Sequence, residues 1–219
     1  MRINKYIAAA SGMSRRTADT AVARGKVLIN GIVATAGQDV TELDTVTLNG
    51  LPLQAPTTTQ TIMLNKPVGY VVSRDGQGSR TVYDLLPPDF IRLKPVGRLD
   101  KNSSGLLLMT NDGQLAQELT HPSRQKTKVY EVTLSKPLTP EDRLHITETG
   151  VLLDDGLSRF ALKPLVDARQ LHWAITMHEG RNRQIRRTFE TLGYNLKRLH
   201  RTHFGPYVLT GNPGDYKQL

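Results

Sequence analysis

Gly97-Arg98-Leu99-Asp100-Lys101-Asn102-Ser103-Ser104-Gly105 runs directly into Leu106-Leu107-Leu108-Met109. A polar loop bracketed by glycines thus leads into an unbroken apolar run, the pattern of a strand covered on both faces. One carboxylate, Asp100, sits at the mouth of that strand. Arg98 lies two residues earlier, so in an extended stretch both side chains leave the same face. A neighbouring cation favours an ionised, nucleophilic carboxylate at neutral pH. By spacing alone the pair also reads as an ordinary loop ion pair, and that plainer reading is the commoner one.

Outward from this loop, residues 62 onward alternate short strands with a few helices. The pattern predicts strands over 62–65, 70–73, 105–110, 129–134, 160–163, 171–177 and 207–209, and helices over 81–86, 113–120, 139–148 and 182–192. Thr139-Pro140-Glu141-Asp142 supplies a cap, a proline at the first position and acids in the first turn. Consecutive strands with inserted helices indicate an α+β domain on a mostly antiparallel mixed sheet. Toward the N-terminus the texture is helix, helix, hairpin. Ile3, Tyr6, Ile7 and Ala10 have helical spacing up to Gly12, and Ser14 is placed to cap a second helix carrying Ala18, Ala21 and Val22. Val27-Leu28-Ile29 and Ile32-Val33 flank Asn30-Gly31, the strongest two-residue hairpin signal. Thr45-Val46-Thr47-Leu48 reads as a further short strand. Residues 55–61 hold no large apolar side chain and read as a linker, which divides the chain into 1–54, 55–61 and 62–219.

The composition narrows the function classes. Among 219 residues there are 29 Lys and Arg against 20 Asp and Glu, a net charge of +9, and no cysteine. Disulfides, thiolate nucleophiles and Cys-ligated metals are thereby excluded. No apolar run reaches the ~18 residues of a membrane span, and the N-terminus lacks a signal-peptide core, so a cytoplasmic protein is expected. The charge is concentrated. Residues 1–38 carry +5, residues 181–203 carry +6, and the rest is slightly acidic. Two short basic segments point to a polyanion surface, and neither has the bulky aromatic face of a membrane anchor. No phosphate-cradling glycine motif or nucleophile elbow is present. His200-x-x-His203 stands without nearby acids and argues for no metal.

A second constellation is Glu179-Gly180-Arg181-Asn182-Arg183-Gln184-Ile185-Arg186-Arg187. Asn182 is placed to cap a helix whose first turns carry three arginines. Arg183 shares a face with Arg186 and Arg187, and three repelling cations on one face favour an anion site over a purely structural role.

Together these blocks resemble the bacterial ribosomal-RNA pseudouridine synthases of the RsuA/RluB type. The similarity runs through Leu64-Asn65-Lys66-Pro67-Val68-Gly69-Tyr70, the Gly97–Asp100 loop with Ser104–Gly113, Lys128-Val129-Tyr130-Glu131-Val132 and the 179–187 block. Residues 1–50 resemble the S4 RNA-binding domain that precedes the catalytic domain in most members. The resemblance implies isomerisation of uridine to pseudouridine by cleaving N1–C1′, turning the base and joining C5 to C1′, with no cofactor and no metal. Asp100 falls on the family's essential aspartate. It would face a C1′ with oxocarbenium-like character, as nucleophile there or as base at C2′. Tyr130 falls on the active-site tyrosine, offering a stacking face for a flipped base and a hydroxyl for proton handling at C5. Arg186 falls on the conserved basic residue expected to pair with Asp100. Arg98 is expected to hold the flipped nucleotide or its phosphate, and Ile185 to floor the base pocket. Lys66, Arg181, Arg183, Arg187 and Lys197 suit phosphate contacts, as do Arg15, Arg16, Arg24 and Lys26 on the S4-like part.

The implied partner is ribosomal RNA or a ribosome assembly intermediate, met by a monomer away from any membrane. A catalytically silent S4-containing binder or assembly factor is the alternative; such a protein has no need of a carboxylate in a basic cleft. Three departures from the family pattern bear on which branch is involved. Thr188 replaces a usual apolar residue, Gly76-Gln77-Gly78-Ser79 forms a small-residue loop, and Tyr216–Leu219 end the chain where relatives often continue into a helix.

Overall fold

The structure, a computed structural model, describes residues 1–54, 58–165 and 170–219. It divides into two compact units, Met1–Gln60 and Thr61–Leu219. Of the segment read as a linker, 55–57 lie outside the described residues, and Thr61 already begins a strand.

In the first unit α1 (Ile3–Ser11) buries Ile3, Ile7, Ala8 and Ala10 and stops at Gly12, whose φ is 78°. The Ser14 side chain accepts a hydrogen bond from the Thr17 N–H at 3.0 Å and starts α2 (Arg15–Ala23). Then β1 (Val27–Ile29) and β2 (Ile32–Val33) pair across Asn30-Gly31, with φ of 52° and 82°. Both values are positive, as a type I′ turn demands. The same device recurs at Asn49-Gly50 between β3 (Val46–Leu48) and β4 (Leu51–Leu53). The sheet order is β2-β1-β3-β4. The sequence reading missed β4; its central Pro52 suits only an edge strand, which is where it lies. Ile3, Ile7, Val22, Val27 and Val46 close the core.

The second unit contains β5 (Thr61–Lys66), β6 (Lys94–Val96), β7 (Ser104–Thr110), α3 (Gly113–Thr120), β8 (Lys128–Leu134), α4 (Pro140–Leu144), β9 (Val151–Leu153), β10 (Gly156–Ser158), β11 (Ala161–Pro164), β12 (His172–Met177), α5 (Gln184–Thr191), β13 (Leu196–Phe204), β14 (Tyr207–Val208) and β15 (Tyr216–Gln218). Among the described residues the large sheet runs β11-β12-β8-β13-β7-β5-β15, with β14 beside β13 and β6 beside β7. Every pairing is antiparallel except β13 with β7. The expected α+β class with a mostly antiparallel mixed sheet is therefore found. Leu107 and Met109 enter the main core, while Leu106 and Leu108 pack with Met63, Val96 and Phe204 on the other side. This two-sided burial is why β7 reads as an unbroken apolar run.

Several elements differ from the sequence reading. Residues 70–73 form no strand, only an isolated bridge from Val71 to Thr81. The 81–86 helix is a 3-10 turn over Val82–Leu85, and 139–148 is α4 continued by a π turn over His145–Thr149. The largest omission is β13. Its register slips between Leu196 and Arg198 and again between Arg201 and His203. Each irregularity breaks the period-two alternation that would have marked it as a strand.

Candidate active site

A cleft of about 540 Å³ opens at the end of the central strands. Arg98, Asp100, Tyr130, Arg181, Arg183 and Ile185 all reach its wall, although they come from three separate stretches of sequence. Leu99 is buried while Arg98 is exposed and Asp100 half-buried, so the loop anchors one side chain in the core and leaves two facing the cleft. Tyr130 is buried on β8, directly opposite Arg201 on β13. Ile185, in the first turn of α5, supplies an apolar patch beside these polar groups.

The loop carrying Asp100 is tied down from beneath by two buried cations. The Lys66 ammonium donates to the carbonyl oxygens of Pro67 at 3.0 Å, Asp100 at 3.1 Å and Ser103 at 2.7 Å. Lys66 is fully buried, so the sequence-based assignment to phosphate contact is corrected: its three donors are spent on the loop backbone. Burial pushes its ammonium down to about 8, against the opposing pull of the Asp100 charge. Arg186 donates to the Asn102 carbonyl at 2.7 Å and to Ser103 Oγ at 3.2 Å. Among the described residues it makes no ion pair with Asp100, contrary to the expected pairing. It acts on Asp100 through the loop backbone and through its charge, and the Asp100 charge in turn opposes the lowering that burial imposes on Arg186. Among the described residues the Asp100 carboxylate is thus left uncommitted, with two positive charges behind it.

The arginine helix is also organised differently from the sequence reading. It begins at Gln184, preceded by Arg183 at φ 46°, so Asn182 does not cap it. Arg181 donates to Asp155 Oδ1 at 2.7 Å, to the Leu157 carbonyl at 2.7 Å and to further acceptors of the same turn. Arg187 bonds Asp154, Asp155 and the Asn182 carbonyl. Their assignment to phosphate contacts is corrected accordingly: both fasten α5 to the turn between β9 and β10. The Asp155 carboxyl is held below the usual carboxylate range, first by the Arg187 hydrogen bond and then by Arg181. Thr188, anomalous in sequence, is buried and donates to Ser158 Oγ at 2.7 Å, where Gln184 also donates at 3.1 Å. Arg183 remains half exposed at the cleft with Glu190 at 3.3 Å, and Lys197 is exposed on β13 outside the cleft wall. Arg15, Arg16, Arg24 and Lys26 are all exposed around α2 of the first unit. His200 and His203 bond Ser104 Oγ and Thr202 Oγ1 respectively through Nδ1.

Among the cleft residues that escaped the sequence reading, Arg201 and Lys128 carry charge into its wall. Arg201 was counted in the basic segment 181–203, but net charge carries no information on burial. The signal available was its position in an alternating stretch that the register slips disguised.

Residues 60–191 match the family model described as RNA pseudouridylate synthase, and residues 1–46 match the S4 domain. The chain belongs to the RNA pseudouridylate synthase family. It is 36% identical to the ribosomal large subunit pseudouridine synthase B of Bacillus subtilis, an alignment covering all of this chain and 91% of that protein. It is 35% identical to the dual-specificity RNA pseudouridine synthase RluF of Escherichia coli, covering all of this chain and 75% of that one. A crystal structure of a pseudouridylate synthase superposes with a TM-score of 0.71 at 31% identity, over all of this chain and 96% of that one. This chain is accordingly an RNA uridine isomerase with an N-terminal S4 domain. No helix among the described residues is long and apolar enough to cross a membrane.

Proposed function

We propose that this pseudouridylate synthase isomerises a uridine of ribosomal RNA, with Asp100 as its catalytic carboxylate. The supporting observation is the convergence of Asp100, Tyr130, Ile185 and Arg98 on one cleft. The relatives named for the large ribosomal subunit favour that subunit's RNA as the substrate. A target uridine flips out of its stack into the cleft, where Tyr130 offers a face and Ile185 an apolar wall. Asp100 meets the sugar as the N1–C1′ bond breaks, either at C1′ as nucleophile or at C2′ as base. Both routes need one ionised carboxylate, and Lys66 and Arg186 hold its loop for that task. The freed uracil turns, C5 joins C1′, C5 gives up its proton by way of the Tyr130 hydroxyl, and N1, which kept the electron pair of the broken bond, takes up a proton in return. The half-enclosed pocket favours recapture of the base over its loss to water. Arg98 and Arg183 bind the backbone of the flipped nucleotide. Residues 1–54, through Arg15, Arg16, Arg24 and Lys26, anchor structured RNA by charge and shape, while 62–219 perform the chemistry. The protein works as a cytoplasmic monomer on ribosomal RNA or an assembly intermediate.

Pseudouridine mapping of ribosomal RNA from cells with and without the gene tests this. One or a few positions should lose their mark on deletion and regain it with purified protein. No change at any position, or free uracil as product, would overturn the proposal.

A further inference from the structure

The chemistry proposed above makes no use of Arg201, yet its setting is unusual. Arg201 is only 2% exposed, lines the cleft and stands opposite Tyr130 in the β8–β13 register, where side chains share a face. Its Nε donates to the Leu106 carbonyl at 2.8 Å, but its buried Nη2 has no partner among the described residues. The guanidinium lies 4.7 Å from the centre of the Phe204 ring, and Lys128 Nζ lies 5.6 Å from the same ring. Lys128, also in the cleft wall, reaches two backbone carbonyls among the described residues, at 3.2 and 3.4 Å. Neither cation forms an ion pair with a carboxylate among the described residues. Arg181 and Arg187 differ in being paired with acids, although Arg181 Nε is itself buried without a partner among the described residues. Buried donors are usually met. Among the described residues Arg181, Arg186 and Arg201 each keep an unmet N–H, and what sets Arg201 apart is that it lines the cleft without any acid partner. Two cations sharing one aromatic ring, one with an idle buried N–H group, describe a site lacking its anion.

We propose that Arg201 and Lys128, seated on Phe204, bind the RNA phosphodiester adjoining the uridine that is isomerised. An RNA phosphate fits on three grounds. The position is beside Tyr130, where the flipped base is read to stack. A nucleotide drawn into the cleft brings its own backbone with it. A guanidinium with a free N–H edge matches phosphate oxygens. The site rests on the reading of the cleft as the uridine-isomerising centre.

The test is a thermodynamic cycle on a short ribosomal-RNA fragment containing the mapped uridine. Each linkage around that uridine is replaced in turn by an uncharged methylphosphonate, and binding is measured for wild type, Arg201→Gln, Arg201→Lys and Lys128→Gln. Wild type should lose about tenfold in affinity at one linkage. Arg201→Gln should bind native RNA about tenfold more weakly and show no further loss at that linkage. The slope of log affinity against log salt should shrink by about 0.7 in the same variant. Arg201→Lys should recover part of the affinity. If Arg201→Gln unfolds, Lys128→Gln carries the same cycle from a less buried position. Equal methylphosphonate sensitivity in wild type and in the folded variants would overturn the site. A wild type that binds this RNA yet forms no pseudouridine would instead defeat the proposed reaction, and the binding cycle would still judge the phosphate site.

Discussion

Lys66 and Arg186 bring two positive charges under the Asp100 loop, and at Lys66 the burial has a readable consequence. Its folded-state value is about 8 against an ordinary 10.5, so between those values the unfolded chain holds a proton that the folded chain lacks. Stability contributed at this site therefore rises with pH across that window, and is lowest and constant below it. Urea denaturation of wild type and Lys66→Met from pH 7.5 to 10.5 should show the difference moving in favour of wild type as pH rises. A pH-independent difference would contradict the buried, charged lysine. The resemblance located Lys66 and Arg186 but misjudged what they touch. A lysine in Asn65-Lys66-Pro67 looks like any surface cation, and only the closeness of the Asp100 and Ser103 carbonyls turns it inward. Arg186 likewise reads as a partner for Asp100, whereas its reach ends at Asn102 and Ser103 one turn of loop further on.

At the scale of elements, the junction of β7 and β13 sets the cleft. Gly105 has φ 105°, and a Cβ there would lie 2.2 Å from the Arg201 carbonyl oxygen. Glycine is required both by the backbone angle and by the parallel strand pressed against it. Gly105→Ala should cost about 3 kcal/mol or more of stability in denaturant unfolding and slow pseudouridine formation by displacing β13. An alanine variant of wild-type stability would show that the strands have room to part. The loop and the first half of this junction were legible, because Gly97 to Met109 carries its own punctuation. β13 was not, because two register slips scatter Leu196, Leu199 and Phe204 off any simple period. The hairpins show the opposite case. Asn30-Gly31 and Asn49-Gly50 each encode their turn in two residues, and contacts such as Asn30 with Asp44 and Thr45 only add to it.

For the whole molecule, the net charge of +9 resolves into cations of different use. In the 181–203 segment Arg181, Arg187 and Arg198 are paired with acids, and Arg186 and Arg201 are buried. The free charge of the S4 domain is larger in proportion, since Arg15, Arg16, Arg24 and Lys26 are exposed. RNA affinity should accordingly fall steeply with salt, and replacing Arg15 and Arg16 by Ala should weaken binding and flatten that dependence while sparing turnover on saturating RNA. A salt slope unchanged by the double replacement would place the anchor elsewhere. Segment charge predicted both basic surfaces, but it could not say that most of the second is neutralised internally. The chemistry itself comes down to Asp100. Single-turnover pseudouridine formation should be compared for wild type and Asp100→Asn, alongside RNA affinity. The carboxamide keeps the size of the side chain and removes the charge, so turnover should fall by on the order of 10³-fold or more with RNA binding nearly unchanged. Pseudouridine formation by Asp100→Asn at close to the wild-type rate, or a parallel loss of binding and turnover, would contradict a catalytic carboxylate at this position.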